Sequence, residues 1–353
     1  MLNTGMEQCF GCSACSAVCS ENAIQMKTAE NGFAYPCVDP ECCSGCGRCN
    51  DVCPAQHDEI SYPEVKSYLA FQAEKEERLL STSGAVFPKL AKAVLAAGGV
   101  VFGAAYGESL NVEHRAAFSE TELDALRQTK YVQSDPAETF RQVKELLEEG
   151  RLVMYMADPC TVAGLGNFVG NNEKLLLVDH ICNGVPSPGF WKAYSENLDG
   201  FIFRGKTHPD NGHTVIACRN GDCTEEGFLE NKFCRIYSKG IGLRNSCYGC
   251  RFCSTKRPGD ISIGDFWGIE NAAPHLNDGY GLSLVMIGTE KGRFWMQKIG
   301  EGIKGEYTRE QVLQPRLEKP PVKPVIGRFF EKDLVMLCSG HGDLKTILKK
   351  YGA

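Results

Sequence analysis

Cys9-Phe10-Gly11-Cys12-Ser13-Ala14-Cys15-Ser16-Ala17-Val18-Cys19 and Cys43-Ser44-Gly45-Cys46-Gly47-Arg48-Cys49-Asn50-Asp51-Val52-Cys53-Pro54 repeat one spacing, Cys-x2-Cys-x2-Cys-x3-Cys. It is the spacing of a pair of [4Fe-4S] clusters, in which the fourth cysteine of each run ligates the other cluster. One cubane then falls to Cys9, Cys12, Cys15 and Cys53, and the other to Cys19, Cys43, Cys46 and Cys49. Three thiolates two residues apart on a tight loop point at three corners of one cube, and the fourth arrives from a distant stretch. Gly11, Ser13, Ala14, Ser16, Ser44, Gly45 and Gly47 keep these loops small, so backbone amides can approach the sulfides and tune their potential. Structural zinc also uses CxxC pairs, but it has no need of this crossed run twice over. A disulfide framework fits less well, because Met1 to Gln8 has neither the basic region nor the apolar core of an export signal. The expectation is a chain that moves electrons in a reducing cytoplasm.

The rest of the composition narrows the class. The 353 residues exceed one ordinary domain, and 43% hydrophobic with 23% charged residues is a globular composition. No apolar run reaches the roughly 18 residues that span a bilayer. The longest, Ala93 to Tyr106, is interrupted by Gly98, Gly99 and Gly103. A net charge of -6 with no basic stripe gives no sign of nucleic-acid binding.

Beyond the cysteine module, 57–63 and the charged run Glu74 to Arg78 read as a linker. Helix and strand patterns then alternate: helix over Ser83 to Ala97, strand over Val100 to Ala105, helix over Pro136 to Glu149 capped by Asp135. Strands follow over Leu152 to Ala157 and Leu175 to Ile181, then a helix over Pro188 to Asn197. From about 201 the texture shifts to short strands with turn signals. Thr214 to Arg219, Asn220-Gly221 and Cys223 predict a hairpin, with further strands at Ile261 to Gly264 and Leu282 to Gly288 and a helix near Arg293. Prolines 315, 320, 321 and 324 predict an irregular crossing segment before a last helix over Leu344 to Lys350.

Cys160 follows one buried strand and Cys182 the next. If the strands are parallel neighbours, both thiols emerge at one carboxyl edge, where α/β sheets place ligands. Cys247-x2-Cys250 on a later loop can complete a third [4Fe-4S] set, with Cys253 competing for one position; core thiols are the plainer reading of Cys160 and Cys182.

Six ordered motifs now carry a resemblance: Ser81-Thr82-Ser83-Gly84-Ala85-Val86-Phe87, Gly98 to Ala104, Thr129-Lys130-Tyr131-Val132-Gln133-Ser134, Asp158-Pro159-Cys160, Ile181 to Pro188 and Asp260 to Gly268. Over about residues 7 to 300 the chain resembles the coenzyme F420 hydrogenase/dehydrogenase beta-subunit family in its version with an amino-terminal ferredoxin module. The resemblance implies an α+β protein in which a bacterial-type two-cluster ferredoxin module is fused to an α/β flavin and iron-sulfur domain. The implied divisions are 1–62 for the ferredoxin domain, 63–150 for the flavin-binding region, 151–325 for the region with the third cluster and 326–353 for a helical tail. FAD beside a [4Fe-4S] cluster would exchange hydride with a deazaflavin, coenzyme F420, or another small acceptor, and a ferredoxin or other redox protein would be the partner.

Ser81, Ser83, Gly84, Thr129, Lys130, Tyr131 and Asp265 are the implied cofactor contacts. Ser83 and Gly84, placed at a helix start, would offer amides to the flavin pyrophosphate. Lys130 would add positive charge near that phosphate or the flavin pyrimidine, its plainer reading being a solvated lysine. Asp265 would pack on the flavin or the cluster loop, or simply close a buried aromatic corner. His180, before Cys182, would orient the cluster loop or sit satisfied in the core. The chain departs from the family pattern at Ala85, Thr161 and Asn183 and between Arg204 and Cys247. The rival expectation is an electron-transfer adapter that docks to a partner enzyme and has no substrate of its own.

Overall fold

The computed structural model describes residues 2–57, 62–136, 138–207 and 213–352. In the cysteine module an antiparallel hairpin, β1 (Ile24–Thr28) and β2 (Ala34–Val38), joins two short helices, Ala14–Val18 and Arg48–Asp51. The two cysteine loops repeat one backbone course. The residue before the second cysteine of each run, Gly11 and Gly45, has φ +74°, and the residue after it, Ser13 and Gly47, has φ +62° and +80°. That left-handed course turns successive amides inward, the geometry of an anion-binding nest.

Eleven further strands follow among the described residues: β3 (Ser67–Phe71), β4 (Val100–Tyr106), β5 (Val112–Ala117), β6 (Val153–Ala157), β7 (Leu175–His180), β8 (Gly200–Gly205), β9 (Thr214–Arg219), β10 (Asp222–Gly227), β11 (Ile261–Asp265), β12 (Ser283–Ile287) and β13 (Ile303–Tyr307). Eight form one sheet in the order β13-β3-β12-β11-β7-β6-β4-β5, and β8, β9 and β10 form a separate antiparallel sheet. Strands β4, β6, β7 and β11 are mutually parallel at its centre, and the flanking strands are antiparallel. Strands β4, β6 and β7 are the near-continuous apolar runs expected of strands covered on both faces. Regions 63–150 and 151–325 both contribute to this sheet.

Alternation assigns the faces. Val101, Met154, Leu176, Ile261 and Val285 pack under helix Val86–Ala96 and helix Glu290–Lys298. Val100, Phe102, Val153, Tyr155 and Leu175 face helix Thr139–Glu148 and helix Pro159–Val169, and Cys12, Ala14, Val18 and Val52 of the cysteine module join that cluster. The module is therefore seated on the sheet through helix Pro159–Val169. Among the described residues no helix is long and apolar enough to cross a membrane.

Several expected boundaries move for local reasons. The helix expected from Ser83 begins at Val86, because Ala85 sits at φ +70° and Gly84 is wedged against the sheet, where a Cβ would lie 2.2 Å from the Phe71 carbonyl. The helix expected from Pro136 begins at Thr139, with residue 137 outside the described ones. Of the linker at 57–63, residues 58–61 lie outside the described ones, and the chain soon enters β3, buried between β12 and β13. Beyond the irregular proline segment, the stretch 326–353 holds a twelve-residue helix, Gly327–Cys338, as well as the last helix, Leu344–Tyr351. The β9/β10 hairpin turns at Asn220 (φ +52°) and Gly221 (φ +84°), the two positive φ values of the expected type I′ turn. Cys218 and Cys223 face each other across it and form a disulfide.

Candidate iron-sulfur and cofactor site

The eight ferredoxin-type cysteines divide by environment. Cys9, Cys12, Cys15 and Cys53 are all buried, whereas Cys19, Cys43 and Cys49 are half-buried and Cys46 is exposed. The inner four also face one another. Burial first, then repulsion from Cys15, Cys53 and Cys9, pushes the Cys12 thiol far up, and burial with Cys9 and Cys53 pushes Cys15 to about 12. A site where burial and neighbouring sulfurs oppose ionisation at Cys12 and Cys15 suits a cationic iron core, which would relieve the repulsion and bind the deprotonated forms. At the outer set, hydrogen bonds from the Arg48 backbone and Ser44 lower the exposed Cys46 thiol.

A second sulfur cluster lies at the carboxyl edge of the main sheet. Strands β6 and β7 run parallel with Ala157 opposite Asp179, so Cys160 and Cys182, just beyond their ends, emerge side by side. The short 3-10 turn Asn245–Gly249 brings Cys247 and Cys250 to the same place, and all four line one small cavity. Burial raises Cys160 and Cys182, and each is raised further by Asp158 and by the other thiols of the set. Cys253 lines the cavity too and hydrogen-bonds Cys250, so it stays a competitor for one position. His180 is half-buried beside the set: its Nε2 lies 3.2 Å from Asp158 Oδ1, and these two with Cys182 bring three donor atoms within 4.8 Å of one another.

This cavity lies between the inner cysteines and a larger one. Phe10, between Cys9 and Gly11, lines it and packs edge-on against Phe252 at 5.4 Å. On helix Pro159–Val169, Gly164 leaves room for Cys12, whose sulfur is only 2.8 Å from where a Cβ would stand. On the other side Asp158, Cys182, Gly184 and Val185 are shared with a cavity of about 650 Å³. That volume is in the range of small-molecule and cofactor sites.

The expected cofactor contacts meet at the large cavity in different ways. Ser81, Ser83, Thr129, Lys130, Tyr131 and Asp265 line it; Gly84 lies behind the wall, its N–H donating to Ser283 Oγ at 2.9 Å. The serine hydroxyls are spent on the backbone, Ser81 on the Glu77 carbonyl and Ser83 on that of Leu282. Ala85, Val86 and Phe87, the true start of the helix, open onto the cavity instead. Lys130 Nζ donates to the carbonyls of Ala104, Ala125, Arg127 and Gln128, and burial lowers its pKa to about 7. It pins the loop before Thr129 to β4. The Tyr131 ring stacks on Tyr237 at 4.7 Å, and Asp265 accepts from Arg204 Nη1 at 2.7 Å.

Sequence reasoning missed Arg204, Tyr237 and Arg316, all of which line the cavity. Arg204 belongs to β8, and its partner Asp265 ends β11, so only the folded chain pairs them. Lys206, two residues on, donates to the carbonyls of Arg78, Ser83 and Tyr280 and ties the Ser81–Ser83 wall in place. With Asp265 matched to Arg204 and Asp158 to His180, Arg316 and the helix start at Val86 put positive potential on the cavity wall.

Comparison with known proteins follows the same division. Residues 8–57 match the 4Fe-4S dicluster domain, and residues 150–310 match the family described as the C-terminal part of the coenzyme F420 hydrogenase/dehydrogenase beta subunit. Among solved structures the chain is similar to one from the F420-reducing [NiFe] hydrogenase complex of Methanosarcina barkeri, with 16% identity, 83% of this chain and 93% of that chain covered, and a TM-score of 0.46. No curated protein matches.

Proposed function

We propose that this chain, whose residues 150–310 match the C-terminal part of the coenzyme F420 hydrogenase/dehydrogenase beta subunit and whose residues 8–57 match the 4Fe-4S dicluster domain, is a cytoplasmic iron-sulfur flavoprotein oxidoreductase. The observation that carries the proposal is spatial order: outer thiols, inner thiols, a third sulfur set and a cofactor-sized cavity succeed one another through shared walls. Cys46, lowered and exposed, marks the end at which a ferredoxin or other one-electron carrier docks. Cys9, Cys12, Cys15 and Cys53 hold the inner cluster against helix Pro159–Val169. Cys160, Cys182, Cys247 and Cys250 hold a third, with Phe10 and Phe252 keeping water from the gap.

In the large cavity the residues suit FAD. Arg316 and the helix start at Val86 offer positive potential to its pyrophosphate, and Tyr131 with Tyr237 offers an aromatic wall. Bound there, a flavin supplies the conversion between hydride chemistry and single electrons. The chain's own residues orient and seal: Lys130 and Lys206 fix the two wall loops through backbone carbonyls. Asp158 holds His180 beside Cys182, at the wall common to both cavities. The small acceptor, a deazaflavin of the coenzyme F420 type or a relative, approaches by the rim at the exposed Trp267.

Acid denaturation of anaerobically purified protein tests this reading. It releases about one FAD per chain, and in the native protein reduced ferredoxin or reduced deazaflavin bleaches that chromophore. Release of no flavin would replace the enzyme by an adapter that only relays electrons to a partner.

A further inference from the structure

Arg244 stands three residues before Cys247 on the third-set loop, yet its guanidinium reaches back into the cysteine module and is 1% exposed. Nε donates to the Cys9 carbonyl at 2.6 Å, and Nη1 to Gln133 Oε1 at 2.8 Å. Nη2 donates to the Ala34 carbonyl at 2.9 Å and to the Cys9 sulfur at 3.4 Å. The rings of Tyr35 and Phe33 lie 4.3 and 5.3 Å from its central carbon. Room for it comes from Gly11, where a Cβ would stand 2.7 Å from Nη1. Among the described residues its hydrogen-bond partners are carbonyls, an amide and a thiol, with no carboxylate among them. A guanidinium does not deprotonate, and a buried cation without a counter-charge is strongly disfavoured.

We propose that Arg244 is the counter-charge of the inner cluster and sets its reduction potential. This rests on the assignment of Cys9, Cys12, Cys15 and Cys53 as ligands of a [4Fe-4S] cluster. Four thiolates make that site net negative, and its reduction adds one electron from the donor, and one negative charge, without making or breaking a bond. A fixed cation donating to a ligand sulfur stabilises the more negative state further, so it raises the potential. Electrons entering at the outer cysteines are thereby drawn to the inner set, beside the third. Arg244 acts through Cys9 as a tuning residue, and the same side chain clamps the third-set loop to the module.

An anaerobic dithionite titration followed by electron paramagnetic resonance, with iron counted on the same samples, tests the assignment in full-length Arg244→Gln and Arg244→Lys. With iron retained, Arg244→Gln makes one cluster at least tenfold harder to reduce, about 59 mV for one electron. The same couple shifts less in Arg244→Lys, which keeps the charge. Full iron with every couple unmoved in Arg244→Gln overturns the proposal. If Arg244→Gln does not load iron, Arg244→His decides at pH 9, where a free imidazole is neutral: a couple lowered against wild type supports the role, and an unmoved one overturns it. A Cys12→Ala change that leaves wild-type iron content intact overturns the ligand assignment itself, a result distinct from full iron with unmoved potentials.

Discussion

A single methyl group at Gly164 probes how closely the cysteine module is seated on the α/β domain. In Gly164→Ala the new Cβ would stand 2.8 Å from Cys12 Sγ, 3.2 Å from Cys12 Cβ and 3.3 Å from Ala14 Cβ. Carbon contacts are optimal at about 3.5–4.0 Å, so Cys12 or the helix must yield by nearly 1 Å. Overpacking of this kind costs about 1–3 kcal/mol. Replacing glycine inside helix Pro159–Val169 returns up to about 1 kcal/mol of helix propensity. With iron stripped, Cys12 can rotate away, and the two effects nearly cancel. With iron bound, Cys12 is pinned and the overpacking cost stands at its upper end. Thermal unfolding of iron-loaded and chelator-stripped protein separates the cases. The loaded variant should melt several degrees below loaded wild type, at roughly 2–4 °C per kcal/mol, and the stripped pair should nearly coincide. Equal shifts in both states would refute the claim that Cys12 is held by a ligand in this contact.

Two further expectations concern other parts of the chain. Burial lowers Lys130 to about 7, so above that pH the unfolded chain binds a proton that the folded chain has released. Stability contributed at this position is therefore lowest below pH 7 and rises toward the ordinary lysine value near pH 10; wild type should gain on Lys130→Met between pH 7 and 9.5 in urea titrations, and a constant difference would contradict the burial of that ammonium. Trypsin cleaves after Arg219, between the half-cystines of the Cys218–Cys223 bridge. Unreduced digests should yield one disulfide-linked peptide pair that separates on reduction, and removing both cysteines should cost about 2 kcal/mol by loop entropy.

The parts legible in sequence are those where local chemistry and tertiary role coincide. Strands β4, β6 and β7 are apolar runs because both sheet faces are covered, and the Asn220-Gly221 turn needs two positive φ values that its residues tolerate. Cys160 and Cys182 could be paired in advance because parallel neighbours end at one edge. What escaped depends on distant partners. Strand β3 is five buried residues next to a charged run, and its place between β12 and β13 comes from strands more than two hundred residues away. Within the stretch expected to be helical, only the bounds of helix Gly327–Cys338 were hidden, behind a proline-rich approach. Arg204 and Arg244 belong to none of the motifs that the sequence offers, and only their burial against Asp265 and Cys9 gives them a role. Lys130 was visible as a cation at the site, but the four carbonyls that hold it come from the fold.

Iron and acid-labile sulfide per chain, measured on anaerobically isolated wild type and Cys182→Ala, test the central claim most directly. Three cubanes require about twelve irons and twelve sulfides in wild type and about eight of each once the third set loses a ligand. About eight in both proteins, or zinc in place of iron, would contradict the account.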